Sequence, residues 1–325
     1  MAAISDSIGT YSIDIFYSIV NIISVIIYYF ASTPIMFGLG NVGEGLRNAG
    51  FWAVVRTEAM EEEKNNQSLA SVFVHYSNLR QVGEGVGKIL AAVILALVGF
   101  VHSFEIILTS SVALLLINLN IAQKINTPKS GNQKILDRIL SPRSSTFWFS
   151  SLLQMFVWLP YNATSYFILP LYLHSYLGFS YEQTGLYLAA YILGVGIVAS
   201  ALRYLKFDMK KLYFLTSLIF VGFVAMPFFG SMVFIPIILI SIGNGCSNII
   251  AEYILSDQIL RSRDVSTDIG LVYVPLKIFE FLFYLLGGLM ISYLGYWFLF
   301  ALCALSIALF MAFSRKVVLQ SKVNL

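Results

Sequence analysis

The stretch from residue 147 to residue 203 decides the fold, and it reads FWFSSLLQMFVWLPYNATSYFILPLYLHSYLGFSYEQTGLYLAAYILGVGIVASALR. It contains two long apolar runs, at about 147–174 and 182–203, joined by a short segment around Gly178 and Ser180. A helix that crosses a membrane needs about 20 mostly apolar residues, and each run is long enough. Strands of a membrane β-barrel would instead alternate polar and apolar residues over about 10 positions. The stretch therefore predicts two membrane-spanning helices.

The composition of the whole chain agrees with a membrane protein. Of its 325 residues, 58% are hydrophobic and only 11% are charged, and the mean hydropathy is +0.80. A soluble domain has roughly 25% charged residues because its surface faces water, so a soluble globular protein is excluded. Disordered chains are polar and poor in aromatic residues, whereas 15% of this chain is aromatic.

The same pattern of apolar runs extends over the rest of the chain. It predicts an all-α polytopic membrane protein with about ten transmembrane helices. These predicted helices lie at about 13–32, 34–56, 70–100, 104–123, 147–174, 182–203, 211–229, 231–256, 268–291 and 293–314.

The positions of the basic residues predict the orientation of these helices. Four of the 20 lysine and arginine residues lie inside predicted helices, and all the others follow the second, fourth, sixth, eighth or tenth helix. Because loops rich in lysine and arginine stay in the cytoplasm, we expect both termini and these loops to be cytoplasmic, in a multi-pass protein of the plasma membrane. The first ten residues lack the basic region and the cleavage site of a signal peptide.

The longest predicted loop, residues 124–146, divides the chain into two parts. Residues 1–123 form an N-terminal bundle of four predicted helices, and residues 147–325 form a C-terminal bundle of six. Within the loop, residues 133–140 have the pattern of a short amphipathic helix on the inner membrane surface. A plain solvated linker is the alternative interpretation.

The junction between the fifth and sixth predicted helices is the most characteristic stretch. It contains a proline near the helix exit, a short Gly-Ser turn and a Gln-x-Gly helix start: Leu169-Pro170-Leu171-Tyr172, Leu177-Gly178-Phe179-Ser180 and Gln183-Thr184-Gly185-Leu186. This junction resembles the one between the seventh and eighth helices of the major facilitator superfamily. The resemblance implies two helical bundles, here of four and six helices, with a basic cytoplasmic loop between them and both termini inside.

The chain departs from that family's pattern in two ways. The resemblance places the start of this chain at the family's third helix, so the family's signature loop, Gly-x-x-x-Asp-Arg-x-Gly-Arg-Arg, would fall before Met1. Its second copy should follow the sixth predicted helix, where only Lys210 and Lys211 agree. The gating salt bridges credited to that loop are therefore not implied here.

Charged residues occur inside the second and third predicted helices, where each costs about 2.5–3.5 kcal/mol on insertion scales. Asn41, Glu44 and Asn48 share one face of the second helix, with Arg47 beside them, while Arg80, Glu84 and Lys88 are spaced by four residues in the third. A carboxyl group in a low dielectric can load and release a proton near neutral pH, which predicts a binding or coupling site. A structural ion-pair cluster is the alternative, and it is the interpretation we favour for Arg80.

Polar stripes also run along the fifth and eighth predicted helices. The resemblance implies that the second, fifth and eighth helices line the family's central cavity. The candidate residues for substrate binding or coupling are Asn41, Glu44, Arg47, Asn48, Glu84, Lys88, Trp158, Tyr161, Asn162, Asn244, Asn248 and Glu252. Hydrogen bonding between helices, worth about 0.6–2 kcal/mol per bond, is the alternative role of these stripes.

Two further sets of charges are interpreted as structural or solvated. Lys277 and Glu280 are three residues apart in the ninth predicted helix, so we expect them to pair. Asp257, Asp264 and Asp268 flank a cytoplasmic loop, and we expect water to solvate them.

These features favour a secondary transporter that moves a small solute by alternating access. Acidic groups in the membrane make protons a candidate coupling ion, and the aromatic residues Trp158, Tyr161 and Tyr166 suggest an amphipathic or aromatic solute unless they belong to the core. The partners are then the lipid bilayer and the solute. We expect no nucleic acid, no metal, no cofactor and no enzymatic activity.

Two other hypotheses remain open. The chain could be a truncated transporter that is inactive or completed by a partner, since the resemblance places its start at the family's third helix. A polytopic membrane enzyme acting on lipid-linked substrates would need clustered carboxylates or histidines in its loops. The acidic loop cluster Glu58–Glu63 lacks metal-ligand spacing.

Overall fold

The computed structural model describes residues 10–33, 35–36, 38–40, 42–45, 47–48, 69–121, 135–204, 209–259 and 265–320. These residues are almost entirely helical, and the described part of the chain contains no strand. Eight helices among them are long and apolar enough to cross a membrane. The predicted all-α polytopic membrane fold is therefore confirmed.

The helices are labelled in chain order, and the described residues between 35 and 48, which are also helical, carry no label. They are α1 (Thr10–Phe30), α2 (Leu69–Ile121), α3 (Ile135–Leu140), α4 (Ser145–Ala163), α5 (Tyr181–Tyr204), α6 (Met209–Ala225), α7 (Phe234–Ile259), α8 (Val265–Val272), α9 (Val274–Leu294) and α10 (Tyr296–Gln320).

α2 contains the third and fourth predicted helices. Its two halves, Val72–Gly99 and Val101–Asn120, are each long enough to span a membrane. They meet at Gly99, whose φ of 75° and ψ of 178° interrupt the helix. This backbone conformation is open to glycine and strained for other residues, so one glycine makes the turn between two spans.

α4 does not end at Ala163 but continues through two wider turns. Residues Thr164–Ile168 and Tyr172–Tyr176 are π-helical, with Leu169–Leu171 between them. In the first π turn the N–H of Leu169 bonds to the carbonyl of Thr164, five residues back. Such single turns are rare and occur frequently at functional sites.

The described chain packs as two compact units. The first consists of the chain up to Val72, Ile94–Arg143 and Ile259–Leu271. In it, α1 runs antiparallel to the second half of α2: Asn118 donates to Ser18 (2.9 Å), and Asn21 donates to Ser111 (2.9 Å). Polar side chains thus join two membrane helices that are otherwise apolar.

One sequence expectation is wrong in this first unit. Asp268 was expected to be solvated, but its side chain is 14% exposed and its Oδ1 accepts hydrogen bonds from Nε and Nη2 of Arg143, at 2.9 and 2.7 Å. Because Arg143 lies far away in the chain, the loop position of Asp268 gave no sign of this partner. The short helix predicted in the linker does form, as α3.

The second unit consists of Phe73–Val93, Ser144–Gln258 and Val272–Leu325. α10 packs against α6 and α4, and α9 also packs against α4. The core is rich in aromatic residues and includes the fully buried Tyr161, Tyr172, Tyr191 and Phe223. Division of the chain at the linker into bundles of four and six helices stays a prediction.

Large apolar side chains also cover much of the outer surface. Leu97 and Phe214 are 78% and 72% exposed, and many other leucine, isoleucine, valine and phenylalanine residues are exposed as well. Soluble monomers rarely expose such continuous apolar surface. Lipid is the solvent that this surface fits.

Candidate functional site

The first polar cluster contains Glu44 and Arg47 and lies in the first compact unit. Glu44 and Arg47 form an ion pair at 3.4 Å, and Tyr28 donates a hydrogen bond to the other oxygen of Glu44 at 3.3 Å. Arg47 also donates to Asn21 (2.6 Å) and to Asn48 (3.2 Å). Three of the four residues predicted on this face are therefore together, and Asn41 lies outside the described residues.

This cluster is only partly buried. The side chains of Arg47 and Glu44 are 34% and 45% exposed. Gly43, which precedes Glu44, leaves room for α1, because a Cβ at this position would lie 2.3 Å from the hydroxyl oxygen of Ser24. The charged face is thus held close to α1, and protein covers it only in part.

The second cluster is centred on Glu84 in the second unit. Arg80 and Lys88 approach Glu84 at 3.9 and 3.7 Å, so the carboxylate has both of its predicted partners. Tyr166, at the end of α4, donates a hydrogen bond to it at 2.7 Å. The Lys88 ammonium lies 4.8 Å from the centre of the Tyr166 ring, within the range of a cation–π contact.

Lys88 also contacts the backbone of α4. Its Nζ donates to the carbonyl oxygen of Ser165 at 3.1 Å. In a regular helix that carbonyl would accept from Leu169, but the N–H of Leu169 bonds to Thr164 instead. The following residue, Pro170, has no N–H. The Ser165 carbonyl therefore has no backbone donor from Leu169 or Pro170, and the Lys88 ammonium donates to it instead.

The third cluster joins α4 to α9. Lys277 and Glu280 pair as expected, with 2.7 Å between Nζ and Oε2. The side-chain amide of Asn162 donates to the other oxygen of Glu280. Glu280 is 8% exposed in its side chain and Lys277 is 51% exposed, so the carboxylate is buried between an amide and a partly exposed ammonium.

The polar stripes of α4 and α7 face protein within the second unit. Gln154 donates to the carbonyl of Ala251 (2.7 Å), and Trp158 donates to Gln154 (2.8 Å). Asn244 donates to the Tyr191 hydroxyl at 2.8 Å. Interhelical hydrogen bonding, the structural alternative, therefore accounts for part of both stripes. Trp158 and Tyr161 are also buried in the core, with ring centres 5.6 Å apart.

Other polar atoms on these helices are buried and have no hydrogen-bond partner among the described residues. They include the hydroxyl of Tyr161, the carbonyl oxygens of the Asn162 and Asn244 side chains, and both ends of the Asn248 amide. Buried polar groups in proteins nearly always have partners, so each such atom needs a water molecule or a ligand. Glu252 is also buried, at 1% exposure, but it interacts with other groups.

Sequence reasoning missed several residues that complete these clusters. Asn21 and Tyr28 of α1 contact the Glu44–Arg47 pair, and Tyr191 of α5 contacts Asn244. Asn21 could have been found as an amide inside an apolar run. The two tyrosines gave no signal, because tyrosine is common in the core and at the membrane interface. Among the described residues, no group of three histidine, cysteine, aspartate or glutamate side chains could hold a metal ion.

Comparison with solved structures identifies the architecture. The chain is similar to the crystal structure of the human organic anion transporter MFSD10, with a TM-score of 0.63 and 12% identity over 96% of this chain and 79% of that one. The chain has the major facilitator fold. It is also similar to the E. coli fucose:proton symporter FucP, with a TM-score of 0.63 and 16% identity over 97% of this chain and 85% of that one.

The major facilitator fold is evident in the structure and not in overall sequence similarity. No family model matches the sequence, and no curated protein matches it. Membrane helices can keep the same arrangement while their lipid-facing apolar residues exchange freely. The resemblance at the junction around Gly178 and Ser180 thus indicated a fold that comparison of whole sequences does not detect.

Proposed function

We propose that this protein is a secondary transporter that moves a small solute across a membrane by alternating access. One observation carries the proposal: charged clusters centred on Glu44, Glu84 and Glu280 lie in apolar helices of the major facilitator fold. Charged side chains in membrane helices are costly and usually mark a substrate or ion pathway. Both similar structures are described as transporters, one of organic anions and one of fucose with protons.

Solute binding is assigned to the unpaired polar atoms of α4 and α7. Tyr161, Asn162, Asn244 and Asn248 offer a hydroxyl group and amides that can donate and accept hydrogen bonds. Trp158 packs against Tyr161 and supplies an aromatic surface. This set fits a polar or amphipathic solute. The Glu44 cluster of the first unit is a separate candidate, and the role of Asn41 stays a sequence prediction.

Proton coupling is assigned to the glutamates. Glu84 is the first candidate, because its side chain is 16% exposed and two basic residues and a tyrosine hydroxyl surround it. Gaining a proton would remove its attraction to Arg80 and Lys88 and free these cations to find other partners. Glu44 is the second candidate, with Arg47 as its partner.

The positions of the basic residues support an orientation with both termini in the cytoplasm, and they fit a protein of the plasma membrane. To test this orientation, a cysteine is introduced at position 2 and treated with a membrane-impermeant thiol reagent, in intact cells and in permeabilised cells. We expect labelling only after the membrane is permeabilised.

Transport can be tested in liposomes that contain the purified protein and a pH-sensitive dye. The first solutes to test are neutral sugars and organic anions, the two classes transported by the similar proteins. We expect one labelled solute to exchange across the membrane and to change the internal pH. Liposomes without protein are the control.

The Glu84→Gln variant separates transport from coupling. We expect it to keep solute exchange at equal concentrations on both sides and to lose the pH change. If the unmodified protein shows solute flux without a pH change, the proton-coupling hypothesis is wrong and the transport hypothesis still holds. No protein-dependent flux of any solute in either class would count against the proposed function.

A further inference from the structure

The contacts of Lys88 form a set that normally binds a free cation. Its ammonium nitrogen lies 3.1 Å from the Ser165 carbonyl oxygen, 3.7 Å from Oε1 of Glu84 and 4.8 Å from the centre of the Tyr166 ring. A carboxylate, a backbone carbonyl freed from its helix and an aromatic face each attract cations. In membrane transporters, sodium ions bind to carbonyls exposed where a helix is interrupted.

The carbonyl is available because of the local sequence of α4. Pro170 cannot donate, and the N–H of Leu169 is engaged by Thr164 in the π turn. Leaving a buried carbonyl without a donor costs roughly as much as a lost hydrogen bond. The Ser165 carbonyl therefore needs a positively charged or hydrogen-bonding group, and Lys88 of α2 provides it.

The surroundings are mostly buried by protein, but they are not completely closed. The side chains of Lys88 and Glu84 are 19% and 16% exposed. Ser165 is 1% exposed. A small ion could reach these oxygens if the ammonium were absent, and the low exposure would make the binding stronger than at a free surface.

We propose that Glu84 and the Ser165 carbonyl form a monovalent-cation site and that the Lys88 ammonium is its tethered cation while Glu84 is ionised. The unmodified protein then has no requirement for sodium or potassium at this point. Removing the ammonium while keeping Glu84 opens the site to a free alkali cation. This inference goes beyond the proposed function and holds independently of transport, because it concerns binding alone.

Arg80 is the alternative cation for the carboxylate. It approaches Oε2 of Glu84 at 3.9 Å, whereas Lys88 approaches Oε1. A guanidinium group is planar and larger than an ammonium, so we expect it to neutralise Oε2 without filling the position beside the Ser165 carbonyl. If Arg80 did fill that position after loss of Lys88, no free cation would bind.

The test compares the thermal stability of the unmodified protein and Lys88→Ala in detergent. Each is measured in lithium, sodium, potassium and choline chloride at one ionic strength, so that general screening is the same in every sample. We expect the unmodified protein to have one Tm in all four salts. Lys88→Ala should gain about 3 °C in one small alkali cation at tenfold excess over its Kd, with a saturable dependence on concentration.

Two double variants identify the ligands. Lys88→Ala with Glu84→Gln removes the carboxylate charge and should lose the selective response. Lys88→Ala with Pro170→Ala restores a backbone N–H at position 170. This N–H can bond to the Ser165 carbonyl, so the response to the cation should become weaker. Lys277→Ala is the matched control, since Lys277 also pairs with a glutamate three residues away but is half exposed, and we expect no selective response.

The proposal is overturned if folded Lys88→Ala has the same Tm in all four salts, or if the unmodified protein shows the same selective response. It is also overturned if the response persists without the Glu84 charge. If Lys88→Ala is not monodisperse, Lys88→Met, which keeps most of the apolar side chain and lacks the ammonium, is measured in the same way. Solute flux in liposomes is a separate readout, so failure here and failure of the transport proposal are distinguishable.

Discussion

Replacing Gly85 by alanine should separate α2 from α5. A Cβ atom at position 85 would lie 2.5 Å from Cγ and 3.2 Å from the backbone nitrogen of Leu193. Real Cβ atoms do not approach other heavy atoms at 2.5 Å, so Leu193 or the whole helix would have to move. Gly87, two residues further along the same helix, has no such neighbour within 4 Å.

The variants at the two glycines form a matched pair, and comparing them gives the expected loss in the free energy of unfolding. Alanine is favoured over glycine inside a helix by about 1 kcal/mol, and this gain applies to both variants. Only Gly85→Ala adds the cost of overpacking, which is typically 1–3 kcal/mol. The free energy of unfolding should therefore be about 2 kcal/mol lower for Gly85→Ala than for Gly87→Ala, which corresponds to a Tm difference of about 4 °C.

The assay is thermal unfolding of both purified variants in the same detergent. The readouts are the intrinsic fluorescence and the monodisperse fraction that remains after heating. Gly87→Ala should be at least as stable as the unmodified protein, and Gly85→Ala less stable. Equal Tm values for the two variants would refute the close contact between α2 and α5 at Gly85.

Three further predictions concern single contacts. Asp268→Asn should destabilise the protein by about 3 kcal/mol, because it removes the negative charge beside the mostly buried Arg143, and the exchange of both residues should recover part of the loss in Tm. Lys277→Ala should lower the Tm more than Glu280→Gln, because it leaves a buried carboxylate without its cation, and the reverse order would contradict this assignment. Tyr161→Phe should leave the Tm within about 1 °C of the original, since the hydroxyl has no partner among the described residues, while the KM of a transported solute should rise if that hydroxyl binds it.

The helical type of the chain and the positions of eight of its membrane spans among the described residues could be predicted from the sequence, because lipid requires long apolar runs. What could not be predicted is the manner of connection at Gly99. Hydropathy indicates two runs there and suggests a loop, whereas a single glycine with positive φ makes the turn. Backbone conformation at one residue has almost no effect on a hydropathy pattern.

Within the candidate site, the ion pairs between residues of the same helix could be predicted from the sequence. Glu84 meets Arg80 and Lys88, and Lys277 meets Glu280, because residues three or four apart share a helix face. Partners from other helices were not predictable, since they depend on packing. Asn162 and Glu280, for example, are 118 residues apart in the chain.

Glu44 and Glu84 have the same kind of environment, although each lies in a different compact unit. Both stand between two glycines, both accept a hydrogen bond from a tyrosine hydroxyl, and both pair with a base three or four residues later in the same helix. Each of these pairs lies inside one unit, so each carboxylate is neutralised by a base of its own helix. Since an unpaired charge in a membrane helix is costly, this local pairing lowers the free energy of keeping each glutamate in an apolar helix. Under the proposed function, a proton or a solute that replaces the partner of one glutamate would then leave the other glutamate paired.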